Sequence, residues 1–154
     1  MFLGQHLHSL DAKGRVILPA RFREQLALAF ITSQIDGCLG VWPAGEFEAR
    51  AQRMGEKFDG DAVDRDTARA FFASAEAATP DGQGRIAIPA HLRSFAGLDR
   101  DVVVTGAFDH VEIWDAATWE VHKRAGDQAL GGNGAVARTA RTRPGSGTAD
   151  DERR

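Results

Sequence analysis

Two short segments of the chain place an aspartate, a glycine and an arginine at the same spacing. Residues 11–15 read DAKGR and residues 81–85 read DGQGR. Each segment lies between two stretches that can form strands, which predicts a hairpin turn. The glycine supplies the positive φ that such a turn needs, and the aspartate can accept backbone N–H groups within it. The residues with this structural role are Asp11, Gly14, Asp81 and Gly84.

The arginine in each turn, Arg15 or Arg85, is not required by turn geometry. Its guanidinium is a planar group with five donors, which suits a phosphate or the edge of a guanine. Alternatively, each arginine does no more than pair with the aspartate four residues before it. The additional cations near the first turn favour contact with nucleic acid. The predicted DNA-binding residues are Lys13, Arg15, Arg21, Arg23, Gln83 and Arg85.

The sequence patterns that would indicate catalysis or metal binding are weaker than the pattern of the two turns. His6 and His8 would lie on one face of a strand, but a third ligand would have to come from a distant part of the sequence. The chain has no glycine-rich phosphate loop and no nucleophile elbow. Cys38 is the single cysteine, and a buried, unreactive thiol is expected there. These observations predict a protein that is not an enzyme, has no cofactor and binds no small-molecule substrate.

The composition is that of a globular protein, with 154 residues, 43% of them hydrophobic, and a net charge of −3. The charge is unevenly distributed. Residues 1–45 contain four basic and three acidic groups, and residues 121–154 contain seven basic and four acidic groups. An acidic total is compatible with a local basic face, and it is the local face that meets phosphate. With no long apolar run and no signal-peptide pattern, a cytoplasmic location is expected.

The two turns belong to a longer internal repeat. Residues 11–23 and residues 81–93 are identical at six of thirteen positions. A second match, between residues 41–49 and residues 113–121, follows in the same order. Two matches in one order indicate a duplicated unit of about 45 residues.

Each unit is expected to be mainly β-structure with short helices, which places the chain in the α+β class. Val, Ile and Thr predict strands at residues 16–18 and 86–88, and again at residues 29–35 and 102–105. A helix is expected at residues 61–78, and another at residues 115–124 with Asp115 as its N-cap. At least one of the adjacent Phe71 and Phe72 should pack on the repeats or on a neighbouring subunit.

These motifs resemble the MraZ family of bacterial regulators. The segments that carry the resemblance are MFLG at the start, the DAKGR and DGQGR turns, FFASAEA before the second turn and FDHVEIWDAATWE after it. Together they span roughly residues 1–124. The family's Asp-x-x-x-Arg motif falls on Asp11 with Arg15 and on Asp81 with Arg85. The second turn has Gln83 where the first has Lys13, and the Arg- and Gly-rich end of the chain lies outside the recognised pattern.

The resemblance implies two tandem AbrB-like swapped-hairpin β modules that form a compact double-hairpin barrel. The modules would occupy residues 5–47 and 76–119, joined by linking helices at residues 48–75 and followed by a disordered tail at residues 126–154. It also implies a ring-like homo-oligomer, associated with the nucleoid. Such a protein would bind double-stranded DNA at short direct repeats in the promoter of the division and cell-wall gene cluster, usually as a repressor. The alternative is an antitoxin-like or other protein-interaction module with the same fold.

Overall fold

The computed structural model describes residues 1–132, which divide into a unit from Met1 to Trp119 and a second unit that begins at Glu120. The first unit is mixed α+β, as the sequence predicts. Its strands are β1 (Gln5–Ser9), β2 (Arg15–Ile17), β3 (Ala29–Ser33), β4 (Leu39–Pro43), β5 (Glu76–Ala77), β6 (Arg85–Ala87), β7 (Asp101–Gly106) and β8 (Val111–Asp115). Its helices are α1 (Ala20–Arg23), α2 (Ala44–Gly55), α3 (Ala62–Ser74) and α4 (Ala90–Ala96), and α5 (Ala116–Gly131) begins in this unit.

The two repeats exchange strands. Six strands form one antiparallel sheet in the order β1-β7-β8-β4-β3-β5, and β2 pairs with β6 in a separate two-stranded ribbon. The first strand of each repeat, β1 or β5, therefore pairs with the hairpin of the other repeat, while β4 and β8 join the two hairpins at the centre. The strand pairs described for residues 1–132 leave β1 and β5 at the two edges of the large sheet.

One hydrophobic core serves both repeats. The ribbon contributes Val16 and Ile86, which lie opposite each other and are both buried. Ile31 of the first repeat and Ile113 of the second belong to the same buried cluster. Because the exchanged strands and this common core join the repeats, neither repeat retains its packing without the other.

A proline follows each strand of the ribbon and precedes a short helix, as the sequence predicts. Pro19 and Pro89 have φ values of −50° and −55°, and α1 and α4 start at the next residue. Proline has no N–H to donate to a strand, but the first turn of a helix leaves its N–H groups unpaired in any case. The predicted N-cap is also confirmed, because the Asp115 carboxylate accepts the Thr118 N–H at 3.0 Å.

Two predicted helix ends are wrong. The helix expected at residues 61–78 ends at Ser74, since Glu76 and Ala77 pair with β3 and need extended backbone. The helix expected to stop at residue 124 continues to Gly131, so the predicted tail begins too early. Residues 126–131 contain alanine, glutamine and leucine, which support a helix despite the glycines at both ends of this segment. The remainder of the predicted tail, residues 133–154, lies outside the described residues.

The other side chains singled out in the sequence have clear positions. Cys38 is fully buried, and burial raises the pKa of its thiol well above the ordinary value, as expected for an unreactive cysteine. Phe71 is buried against Phe47, with ring centroids 6.1 Å apart, so one of the two adjacent phenylalanines does pack on the chain itself. Phe72 is 38% exposed. None of the helices among residues 1–132 has the length and apolar character needed to span a membrane.

Candidate nucleic-acid interface

The first turn is closed by hydrogen bonds from the backbone to Asp11. The Asp11 Oδ1 atom accepts the N–H groups of Lys13 and Arg15, each at 2.9 Å. The Gly14 N–H donates to the Asp11 carbonyl at 3.0 Å, and the Asp11 N–H donates to the Arg15 carbonyl at 2.9 Å. Gly14 has a φ of +74°, the left-handed conformation expected for it.

The second turn repeats this arrangement. The Asp81 Oδ1 atom accepts the N–H groups of Gln83 and Arg85, each at 2.9 Å, and Gly84 has a φ of +77°. Only the backbone of residue 83 takes part, which explains why glutamine can stand where the first turn has Lys13. Both tip side chains, Lys13 and Gln83, are exposed. The turn role predicted for the aspartates and glycines is therefore seen in both copies.

Each arginine pairs with its aspartate through one nitrogen. The Arg15 Nε atom lies 2.7 Å from Asp11 Oδ2, and the Arg85 Nε atom lies 2.9 Å from Asp81 Oδ2. Across residues 1–132, neither arginine has a further partner for its terminal Nη groups. The pairing that the simpler interpretation requires is present, but it orients each guanidinium and leaves its outer donors available.

The two arginines lie on the same face of the β2–β6 ribbon. Arg15 lies opposite Ala87, and Ile17 lies opposite Arg85. Side chains alternate between the faces of a strand, so these four residues face away from the buried Val16 and Ile86. In this register the two arginines are diagonal neighbours, whose backbone Cα atoms lie about 7–8 Å apart. The ribbon thus presents two guanidinium groups beside an exposed Ile17.

Arg23 and its repeat equivalent Arg93 each lie against the turn of the other repeat. Arg23 donates from Nε to the Leu18 carbonyl at 2.9 Å, and its guanidinium lies against Gly84, in the turn of the other repeat. Arg93 donates to the Ile88 carbonyl and lies against Gly14. Arg23 is among the DNA-binding residues predicted from the sequence, and Arg93 is not. The signal for Arg93 is its identity with Arg23 in the alignment of the two repeats.

Arg21 is also partly engaged within the chain. Its Nη2 atom lies 2.8 Å from the Leu3 carbonyl and 2.7 Å from His6 Nε2. Because arginine can only donate, the His6 nitrogen accepts, and that lone pair is already occupied. Burial and the neighbouring Arg21 charge lower the pKa of His6. Among residues 1–132, no group of three or more histidine, cysteine or acidic side chains is placed to hold a metal ion.

Replacing Gly14 and Gly84 with alanine should destabilise the fold. A side chain at positive φ costs about 1–2 kcal/mol per residue. The added Cβ would also meet the guanidinium of Arg93 or Arg23. We expect a clear fall in the midpoint of chemical unfolding for the double variant. Gly82 is the matched control, since it lies in the second turn without positive φ and has no atom within 4 Å of an added Cβ. Equal midpoints for Gly82→Ala and the double variant would contradict the account of the turns.

The turn aspartates should make the fold sensitive to acid. The hydrogen bond from the Arg15 N–H, with further help from the Arg15 guanidinium and the Lys13 N–H, holds the pKa of Asp11 below its ordinary value of 3.8. The Arg85 N–H, the Gln83 N–H and the Arg85 guanidinium do the same for the pKa of Asp81. A lowered folded-state pKa gives stability that is present above pH 3.8 and is lost as the pH falls through the folded-state value.

The acid effect can be measured with an Asp11→Asn and Asp81→Asn double variant. Asparagine keeps an oxygen for the backbone N–H groups but has no charge to titrate. We expect its melting temperature to change less than that of the wild type between neutral pH and about pH 3. If the melting temperatures of the two proteins fall by the same amount across this pH range, the aspartates do not contribute in this way.

The fold and the site together define a class: a duplicated α+β protein in which intertwined repeats present paired Asp-x-x-Gly-Arg turns. The family model described as "MraZ protein, putative antitoxin-like" matches residues 1–69 and 71–128. The chain belongs to the MraZ family. Its relatives include "Transcriptional regulator MraZ" of Salinispora arenicola, which is 52% identical over 78% of this chain and 85% of the relative. The proteins with the same description from Thermobifida fusca and Clavibacter michiganensis are each 46% identical, over 83% and 84% of this chain and 90% and 92% of the relative.

Proposed function

We propose that this protein is a sequence-specific DNA-binding transcriptional regulator that reads DNA with its two Asp-x-x-Gly-Arg turns. The observation that carries the proposal is the placement of Arg15 and Arg85 on one face of the ribbon, each held by an aspartate through Nε alone. A guanidinium held in this way can offer its outer donors to the O6 and N7 acceptors of a guanine. Relatives of this chain from Salinispora arenicola and Thermobifida fusca are named transcriptional regulators.

The roles of the basic residues differ within this proposal. Arg15 and Arg85 would contact base edges, and the exposed Lys13 and Gln83 at the turn tips would reach the backbone or neighbouring bases. Arg21 would contact phosphate with the donors that Leu3 and His6 leave unused. Arg23, which lies against Gly84, would act mainly by holding the second turn in place.

The small reach of the two turns bears on how the protein assembles and on which DNA it binds. Each turn reaches only a few base pairs, so one chain offers little sequence information. We infer a ring-like homo-oligomer that binds short direct repeats in the promoter of the division and cell-wall gene cluster and represses it, in the cytoplasm and at the nucleoid. The strand exchange between the repeats supports kinship with AbrB-like swapped hairpins, and hence the two modules at residues 5–47 and 76–119. The described strands form an open six-stranded sheet and a separate ribbon, so the double-hairpin barrel remains a prediction.

A second candidate function is an antitoxin-like interaction with another protein, which the description of the family model favours. In that case the segment after residue 125 would be the element that binds the partner. A pull-down with the full chain and with a chain that lacks residues 126–154 separates this function from DNA binding. Specific capture of a protein partner that depends on the segment would support the antitoxin-like function.

The direct test is selection of bound DNA from sheared genomic fragments by the purified full-length protein, followed by footprinting. We expect enrichment of fragments with short direct repeats, and protection that recurs at their spacing. The same selection with the Arg15→Ala, Arg85→Ala variant is the control. If the variant enriches the same fragments, or if the wild type enriches none, the turns do not read DNA sequence.

A further inference from the structure

The outward face of the β2–β6 ribbon carries an apolar side chain that the core does not use. Ile17 is 44% exposed, whereas its neighbour Val16 faces the core and is buried. A strand favours a β-branched residue at this position, but threonine would meet that preference equally well on a face that water reaches. Ile17 therefore exposes apolar surface that folding alone does not require.

Ile17 lies directly opposite Arg85 in the ribbon. The Cβ atoms of opposite residues are about 4.5–5.5 Å apart, so the two side chains lie side by side on the outward face. The carboxylate of Asp81 holds the Arg85 Nε atom at 2.9 Å, which orients the guanidinium next to Ile17. The isoleucine and the outer donors of this arginine thus form one small surface.

Further cations surround Ile17. It borders a shallow surface depression that Arg21 and Arg23 also line. Arg15 lies diagonally across the ribbon on the same face. The carboxylates of the two turns each pair with an arginine, which offsets their negative charge. An apolar group among positive charges suits a partner that presents an apolar group close to negative charge.

The major groove of DNA presents this combination between its two rows of phosphates. It admits a two-stranded β-ribbon, and within it a guanine presents the O6 and N7 acceptors while a thymine presents its 5-methyl group. Successive nucleotides of one strand lie about 3.4 Å apart along the helix axis. A side chain directly beside an arginine that contacts a guanine therefore reaches a base one step away.

The equivalent position in the other half of the ribbon holds a smaller residue. Ala87 lies opposite Arg15 as Ile17 lies opposite Arg85, and it is also exposed. Because the alanine side chain ends at Cβ, it extends less far from the ribbon than isoleucine does. The two arginines are thus matched across the ribbon, but only Arg85 has a long apolar neighbour.

We propose that Ile17 is a specificity-determining residue, which contacts the 5-methyl group of a thymine within one base pair of the guanine that Arg85 contacts. This inference rests on the proposed function of the turns in reading DNA. The contact adds a thymine to the sequence that the protein recognises. Since Ala87 is too short to make the same contact, the two orientations of the ribbon on DNA are not equivalent.

The test compares DNA that contains thymine with DNA that contains uracil, which lacks only the 5-methyl group. A fragment recovered from the genomic selection is synthesised in both forms and titrated with the full-length protein in gel-shift experiments. We expect the wild type to bind the uracil form at least about four-fold more weakly, from the loss of a buried methyl group. Ile17→Ser should bind the two forms equally, and Ile17→Val, which keeps an apolar branched side chain, should still prefer thymine.

The matched control is Val63→Ser, which replaces an exposed apolar residue on α3 and should keep the thymine preference of the wild type. If Ile17→Ser does not fold, Ile17→Gln, which keeps the length of the side chain, replaces it and should likewise bind the two forms equally.

Two results would overturn the inference and leave the proposed function standing. The first is equal wild-type affinity for the thymine and uracil forms, while the Arg15→Ala, Arg85→Ala variant no longer binds either. The second is a thymine preference in Ile17→Ser or Ile17→Gln equal to that of the wild type, which would place the methyl contact on another residue. If the wild type selects no DNA, or if the arginine variant selects the same fragments, the proposed function fails and this inference fails with it.

Discussion

Replacing Arg15 and Arg85 together with alanine should abolish sequence-specific DNA binding and leave the fold intact. Loss of a good contact to a base costs about 1–3 kcal/mol, so two lost contacts weaken binding by about 30-fold to 2 × 10⁴-fold for each chain. The turns themselves should persist, because Asp11 and Asp81 still accept the backbone N–H groups of residues 13, 15, 83 and 85. The ion pairs that are removed are partly open to solvent, where such pairs add little to stability.

The control for this prediction removes two arginines from another surface. Arg53 and Arg69 are exposed on α2 and α3, and Arg69 makes a surface ion pair with Asp66. Their double alanine variant changes the net charge by the same amount as the turn variant. Gel-shift titrations and melting curves of both variants, at one salt concentration, separate a local effect from a general loss of charge. If DNA binding is weakened equally in the two variants, the binding depends on overall charge and not on the turns.

Affinity should depend steeply on the number of binding sites in the DNA. A net-acidic chain with two small turns gains little from bulk attraction, so binding to one site should be weak and salt-sensitive, with log K falling by about 0.9 per phosphate neutralised. In a homo-oligomer, binding of one subunit holds its neighbours at high effective concentration over adjacent DNA. Avidity then raises the affinity by about 10²–10⁴ without new contacts. Titrations of DNA with one, two and four copies, with the same protein preparation, measure this effect.

The avidity prediction requires an assembly contact that can be removed. Phe72 is 38% exposed and stacks on Phe58, which is 42% exposed, so these two rings form an apolar patch on the surface. The buried Phe71, proposed with Phe72 from the sequence, is excluded as such a contact. Phe72→Asp should reduce assembly and weaken multi-copy binding more than single-copy binding, while Val63→Asp, at an exposed position of the same helix, should not. Equal affinity for one-copy and four-copy DNA would remove the avidity argument.

The turns could be predicted from the sequence because their chemistry is local. The hydrogen bonds of Asp11 and Asp81 reach no further than four residues along the chain, and the positive φ of Gly14 and Gly84 follows from the turn itself. The repeat was visible for the same reason, since both copies need the same residues at the same spacing. The N-cap role of Asp115 is likewise a contact over three residues.

The contacts between the repeats could not be predicted in this way. Nothing in the spacing shows that β1 pairs with β7 or that β5 pairs with β3. For that reason the sequence predicts a helix at residues 61–78 that runs through the segment that forms β5. The support of Gly84 by Arg23, and of Gly14 by Arg93, depends on the same exchange. The boundaries of the modules at residues 5–47 and 76–119 and of the linking segment at residues 48–75 remain predictions.

The measurement that tests the central claim most directly is site-specific photo-cross-linking to DNA. A benzophenone amino acid replaces Lys13 or Gln83, whose exposed side chains lie at the tips of the two turns, or Arg69 on α3 as the control. If the turns read DNA, positions 13 and 83 cross-link to the DNA recovered from the genomic selection, unlabelled copies of that DNA compete, and position 69 does not cross-link. Cross-linking from position 69, with none from positions 13 and 83 while the DNA is bound, would contradict the claim.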